Sequence, residues 1–231
     1  MDFTGKRVLV VGTGVSGIAA IRLLAAKGAK PVVLEGNEKA DREQVVSRIP
    51  EGIGYDLIIG NLPEEVMDTL DLAVLSPGVP TDLPFVIKLQ DKKIPVWGEI
   101  ELAYACGSGR LAAITGTNGK TTTTALTGAI LREYYDSVFV VGNIGLPYTE
   151  YALEMKDSSV TVAEVSSFQL ETIHTFQPEV SAILNITPDH LNRHHTMECY
   201  IDTKARIAEN QTKAQICVLN YEDEHLQKLA A

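Results

Sequence analysis

Cysteine is scarce in this 231-residue chain. Only Cys106, Cys199 and Cys217 occur, an odd number with no C-x-x-C pair, which excludes a disulfide framework and a thiolate zinc site and points to the cytoplasm. Long apolar runs are missing too. No stretch reaches the ~18 residues that a membrane helix needs, so no membrane insertion is expected. Met1-Asp2-Phe3-Thr4-Gly5-Lys6 lacks the charged and apolar regions of a signal peptide, so no export is expected. Positive charge is in deficit: 20 Lys and Arg against 30 Asp and Glu leave a net charge of −10. That balance excludes nucleic acid as a partner, although a local positive loop on an acidic protein can still hold a phosphate. Internal repeats, low-complexity segments and charge blocks are absent. What remains, 45% hydrophobic with 22% charged residues, suffices to bury the core of one large or two ordinary domains.

The stretch that carries most chemistry is Ile114-Thr115-Gly116-Thr117-Asn118-Gly119-Lys120-Thr121-Thr122. An apolar strand runs into a glycine loop that ends in Lys-Thr at the start of a helical pattern, which is the layout of a phosphate cradle. Bare N–H groups at a helix start face an anion, the glycines permit close approach, Lys120 adds a point charge, and the Thr121 hydroxyl can ligate Mg²⁺. The spacing departs from G-x-x-x-x-G-K-[ST]. Ile114 stands where the first glycine belongs, so a compact variant of the loop is implied.

The pattern along the chain is that of an α/β protein. A strand at 7–11, a helix at 15–27 and a strand at 31–35 open it with a parallel βαβ unit. Weaker alternations follow at 57–59, 64–70, 72–75, 84–91, 94–97 and 99–105, giving a Rossmann-like doubly wound sheet. Periodicity stops at Cys106-Gly107-Ser108-Gly109, and a domain boundary is expected there, with residues 1–107 on one side and 108–231 on the other. The second series reads strand 110–115, helix 120–132, strand 137–141, helix 148–155, strand 159–165, strand 179–186, helix 196–210 and strand 215–219. It reads as an ATPase-type α/β domain that ends early with a short tail, 221–231, so a truncated domain is expected.

Other constellations sit at strand ends. Gly12-Thr13-Gly14-Val15-Ser16-Gly17 follows the first strand and opens a helix, with Glu35 and Gly36 closing the next strand. That is the context of a dinucleotide fingerprint, which taken alone indicates NAD, although the same turn binds any pyrophosphate or simply packs strand on helix. Ser76-Pro77-Gly78 forms a rigid turn after the strand at 72–75, where open α/β sheets bind ligands. Glu164 ends an apolar strand near the phosphate loop, a position that suits a hard cation, and Val165-Ser166-Ser167-Phe168-Gln169-Leu170 follows it. Asn185-Ile186-Thr187-Pro188-Asp189-His190-Leu191-Asn192-Arg193-His194 is dense in polar groups. Beyond it Tyr200 and Lys204 share a helix face; most such lysines are simply solvated.

In order and spacing, Gly116–Thr121, Gly142-Asn143-Ile144-Gly145, Glu164, Asn185 to His190 and Lys204 resemble the Mur ligase family, and the resemblance covers the whole chain. It implies an ATP-dependent amide-forming ligase of peptidoglycan precursor synthesis that adds D-glutamate to UDP-N-acetylmuramoyl-L-alanine through an acyl phosphate. It also reassigns the first glycine turn from NAD to the uridine substrate, held by Gly14, Val15, Ser16, Glu35, Gly36, Ser76, Pro77 and Gly78, with Asn143, Ser166 and His190 facing the muramoyl part. ATP falls to Gly116, Thr117, Asn118, Gly119, Lys120, Thr121, Thr122 and Asn185. Two Mg²⁺ ions fall to Thr121 and Glu164, and to His190 and a carbamylated Lys204. Lys120, His190 and Lys204 are the implied catalytic set, and the expected state is a monomer. Two departures stand out. Asn192 replaces the aspartate expected before Arg193, and the rest of the central domain with the C-terminal amino-acid-binding domain is missing, so weak or no activity of this chain is expected. The rival readings are a nucleotide-binding module without catalysis and an NAD-dependent dehydrogenase resting on Gly12, Gly14, Gly17 and Glu35, which leaves the Lys120 loop unexplained.

Overall fold

The computed structural model describes residues 1–230, which build two five-stranded, wholly parallel sheets. The first contains β1 (Arg7–Val11), α1 (Val15–Ala26), β2 (Lys30–Glu35), α2 (Arg42–Arg48), β3 (Asp56–Ile59), α3 (Glu64–Met67), β4 (Leu72–Leu75), α4 (Pro84–Asp91) and β5 (Val96–Gly98), followed by α5 (Glu99–Cys106). Its strand order is β3-β2-β1-β4-β5. The order reverses beside β1, so the carboxyl ends of β1, β2 and β4 converge on one crevice. β1 and β4 are almost wholly buried. Both faces of such a sheet are covered by crossover helices, and the strands accordingly read as unbroken Val and Leu runs.

The second sheet is built from β6 (Arg110–Thr115), α6 (Lys120–Arg132), β7 (Val138–Gly142), α7 (Tyr148–Tyr151), β8 (Val160–Glu164), α8 (Ser167–Leu170), β9 (Val180–Ile183), α9 (Leu191–His194), α10 (Met197–Ala205) with a 3₁₀ turn at Arg206–Ala208, β10 (Ile216–Leu219) and α11 (Glu224–Ala230). Its order is β10-β9-β6-β8-β7. β6 lies in the middle with β8 and β9 as its neighbours. Thr115, Glu164 and Ile183 therefore end side by side, and the loops after them share one rim.

Four short helices escape the periodicity reading: α2, α8, α9 and α11. They span four to seven residues, too few turns for a 3.6-residue stripe to show. The helix expected over 148–155 is a single turn after Pro147. The strand expected over 179–186 stops at Ile183, because beyond it the backbone bonds the phosphate loop instead: Leu184 N–H donates to Thr115 O (3.0 Å) and Thr117 N–H to Asn185 O (2.9 Å). No helix among the described residues is long and apolar enough to cross a membrane.

The two sheets share packing. Ile100 and Ala103 of α5 join the apolar cluster built on Leu111, Ala163 and Phe176, and α7 lies against both α1 and α5.

Candidate functional site

The loop 116–119 turns through left-handed backbone, Gly116 at φ 150° and Gly119 at φ 81°, conformations that a side chain strains. Gly119 caps the thirteen-residue α6 without a side-chain cap, and no acidic residue occupies the first turn. A helix start leaves its first amides without intrahelical acceptors and carries partial positive charge, so an anion suits this mouth. Asn185 holds the loop in shape: its Oδ1 accepts the Asn118 N–H (2.8 Å) and its Nδ2 donates to Asn118 O (3.0 Å). Thr117 donates to Thr187 O (3.2 Å), accepts the Thr187 N–H (3.0 Å) and touches the Tyr200 hydroxyl (3.2 Å). Lys120 Nζ donates to Thr117 O (2.8 Å).

Glu164 is buried at the end of β8 and is met from two sides. Thr121 Oγ1 donates to its Oε2 (2.8 Å) and Asn143 Nδ2 to its Oε1 (2.8 Å). Gly142 must be glycine here, since with φ 102° a Cβ would run into the Glu164 carbonyl. Three residues that are distant in sequence thus converge beside the loop. A hydroxyl and a carboxylate within hydrogen-bond distance are the oxygen ligands that a hard cation prefers, and Thr121 with Glu164 fits Mg²⁺. No cluster of three or more His, Cys, Asp or Glu occurs among the described residues. Phosphate oxygens and water would have to complete the coordination.

His190 is the N-cap of α9 in a left-handed conformation, φ 52°. Its ring is half exposed, 3.4 Å from Asp189 and 4.9 Å between centroids from Phe168. His194 behind it is buried against Ser167 Oγ (2.9 Å), and burial holds its pKa below the usual value.

Lys204 is 1% exposed. Its Nζ donates to Gly116 O (2.9 Å) and lies 4.8 Å from the Tyr200 ring centroid. Burial, reinforced by the nearby Lys120 charge and opposed by Asp189, pushes its pKa down to about 7. Neutral amine is therefore abundant at ordinary pH, which no solvated lysine offers.

The residues assigned to the uridine substrate do not share a single cleft. Glu35, Gly36 and Gly78 line one of ≈ 660 Å³. Gly14 and Val15 line another of ≈ 520 Å³, together with Arg22, Arg48 and Glu150. Ser16 is half-buried and lines neither. Glu35 accepts the Thr13 hydroxyl (2.5 Å) and the Asn37 N–H (3.1 Å). Ser76 and Pro77 line a narrow crevice with Glu99 and Phe168. The Ser76 hydroxyl is buried without a partner among the described residues and would lie 2.9 Å from a Cβ on Gly12. It packs beneath the glycine turn. Ser166 serves the backbone, capping α8 in a reciprocal box with Gln169, a signal visible in the sequence as S-x-x-Q.

Sequence reasoning missed Glu171. It accepts from Arg193 Nη2 (2.6 Å), Arg193 Nε (3.1 Å) and Thr81 Oγ1 (3.2 Å), partners 22 and 90 residues away that no local pattern reveals.

The likeness to known proteins agrees with this geometry. Residues 6–98 match the model of the Mur ligase MurD-like N-terminal domain and residues 114–231 that of the Mur ligase middle domain. A UDP-N-acetylmuramoylalanine–D-glutamate ligase of Lachnoclostridium phytofermentans is 57% identical over 230 residues, covering 100% of this chain and 51% of the relative. A protein of the same name from Lachnospira eligens matches with the same identity and coverage. The chain spans about half the length of these curated relatives. Among solved structures, the UDP-N-acetylmuramate:L-alanyl-gamma-D-glutamyl-meso-diaminopimelate ligase of Neisseria meningitides superposes with a TM-score of 0.61 at 14% identity, over 97% of this chain and 74% of that one. The UDP-N-acetylmuramate-alanine ligase of Thermotoga maritima gives 0.54 at 21%, over 97% and 51%. These two establish likeness of fold alone. With both halves of its length matched by the family's own domain models, the chain belongs to the Mur ligase family.

Proposed function

We propose that residues 1–107 form a domain that holds UDP-N-acetylmuramoyl-L-alanine and residues 108–231 the ATP-binding part of a ligase that joins D-glutamate to that substrate. The observation that carries the reading is the convergence of Thr121, Asn143 and Glu164 beside the bare helix start at Gly119, facing a lysine with a lowered pKa. The relatives that bear the D-glutamate ligase name support the choice of substrate.

Lys120 would exchange Thr117 O for the terminal phosphates of ATP, and the amides of the loop and first turn would hold their oxygens. Thr121 and Glu164 would hold a first Mg²⁺, and His190 with Lys204 a second; the ions, when bound, would neutralise charge as phosphoryl passes to the substrate carboxylate. Asn143 and His190 lie on the rim where the muramoyl carboxylate must arrive. A lysine that is half neutral near pH 7 can attack CO₂ through its nitrogen lone pair; an N–C bond forms, one proton leaves, and the ammonium becomes an anionic carbamate with oxygen ligands. That conversion suits a site which must collect cations. The protein would act as a monomer in the cytoplasm.

Calorimetric titration tests the reading. UDP-N-acetylmuramoyl-L-alanine and Mg-ATP should each bind and NAD should not, and Lys120→Ala should abolish nucleotide binding while leaving the ligand-free melt within about 2 °C of wild type. NAD binding without uridine binding would overturn the assignment. A carbamate resonance under ¹³CO₂, absent in Lys204→Ala, is expected by NMR.

A further inference from the structure

One arginine joins three segments of the candidate site. Arg193, on the turn that follows His190, is 14% exposed at its side chain, and its partner Glu171 is 13% exposed. The pair is bidentate, with Nη2 on Oε2 at 2.6 Å and Nε on Oε1 at 3.1 Å. The same Nη2 also donates to the carbonyl of Val79 (3.0 Å), in the turn that follows Ser76-Pro77-Gly78. Glu171 completes the link by accepting the Thr81 hydroxyl (3.2 Å). Below the guanidinium lies the Phe168 ring, 5.1 Å from it, and that ring also packs against His190 and His194. The first sheet's substrate turn, the helix that follows Glu164 and the loop that carries His190 are therefore fixed to one another through a single side chain.

We infer that Arg193, seated by Glu171, is a positioning residue that sets the Ser76–Thr81 turn against the His190 loop and so couples occupancy of the uridine-side cleft to occupancy of the phosphate loop. The chemistry favours this over a surface ion pair. Exposed pairs are worth little, whereas a largely desolvated fork with two parallel bonds fixes geometry in a way that a lysine's point charge does not. The planar guanidinium can also stack on Phe168 while it donates in its own plane.

The inference rests on the proposed function, and its test separates the two. The affinity of this chain for UDP-N-acetylmuramoyl-L-alanine is measured with and without saturating Mg-ADP, and the affinity for Mg-ADP with and without the uridine substrate. Linkage requires the two ratios to agree. Wild type should show a ratio of about five-fold or more, the lower end of ordinary coupling. Arg193→Lys and Thr81→Val should bring the ratio close to one. Lys92→Met, which breaks only exposed pairs with Glu64 and Asp68, should preserve it. In Arg193→Ala, ethylguanidinium should restore part of the coupling and ethylammonium none. If both ligands bind and the ratio is the same in Arg193→Lys, Thr81→Val and wild type, or if affinities fall in parallel with the ratio unchanged, Arg193 is structural and the inference is wrong. If neither ligand binds wild type, the proposed function fails with it.

Discussion

Among single residues, Lys204 has the environment least like its ordinary one. Its ammonium is buried beside another lysine, so the unfolded chain holds a proton there that the folded chain gives up between about pH 7 and the usual lysine range. Stability rises with pH wherever the unfolded state binds more protons. The penalty is therefore full below pH 7 and is relieved as pH climbs toward 10. Thermal melts in CO₂-free, metal-free buffer should show it. The melting temperature of Lys204→Met relative to wild type should be highest at pH 6 and should fall by several degrees by pH 10. A difference that stays flat across this range would mean that Lys204 is solvated in solution. The position of Lys204 on a helix face with Tyr200 was legible in the sequence, and so was its place after His190. Its burial was not, since that depends on the loop after β6, whose Gly116 carbonyl receives the ammonium from 88 residues away.

Among the elements, the two glycine turns divide their glycines between packing and binding. A Cβ on Gly17 would collide with the Gly12 carbonyl, so α1 can close on the end of β1 only if that position is bare; around Gly14 nothing lies within 4 Å, and its φ of −77° suits any residue. Gly17→Ala should therefore destabilise the protein by about 3 kcal/mol or more, in the range of severe core substitutions. Gly14→Ala should leave the ligand-free melt nearly unchanged and weaken the uridine ligand, whose pyrophosphate needs the bare approach to the start of α1. Equal melting temperatures for the two variants would show that the turn is not closed as described. This turn, β1, α1 and the phosphate loop with α6 were legible because each joins a long periodic run to glycines at fixed offsets. α8 and α9 were not. They are single turns, too short for a periodic stripe, so only the S-x-x-Q cap of Ser166 with Gln169 marks one and the His190 turn the other.

Across the whole molecule, the two sheets are joined by carboxylates of α5 that composition and periodicity could not have flagged. Glu101 is fully buried, and its oxygens accept four donors of the segment 174–176: the His174 N–H at 2.9 Å, the Thr175 N–H at 2.7 Å, the Thr175 hydroxyl at 2.6 Å and the Phe176 N–H at 3.1 Å. Next to it, Glu99 accepts the Thr149 N–H and hydroxyl at the start of α7. In sequence these glutamates look like ordinary solvated helix residues, and only the partners 50 to 75 positions further on explain their burial. A carboxylate with four donors in a dry interface satisfies groups that would each cost about 1–3 kcal/mol if left bare. Glu101→Gln keeps the volume and replaces one acceptor oxygen by an NH₂ group, so at least one of the four donors then faces another donor. The variant should melt at least about 5 °C lower. Because α5 belongs to the first sheet's run of chain while segment 174–176 belongs to the second's, the single calorimetric transition expected of wild type should broaden or split as the two sheets unfold separately. Coincident single transitions for the variant and wild type at the same temperature would show that the sheets are held together by the apolar contacts of Ile100 and Ala103, with Glu101 contributing nothing to their union.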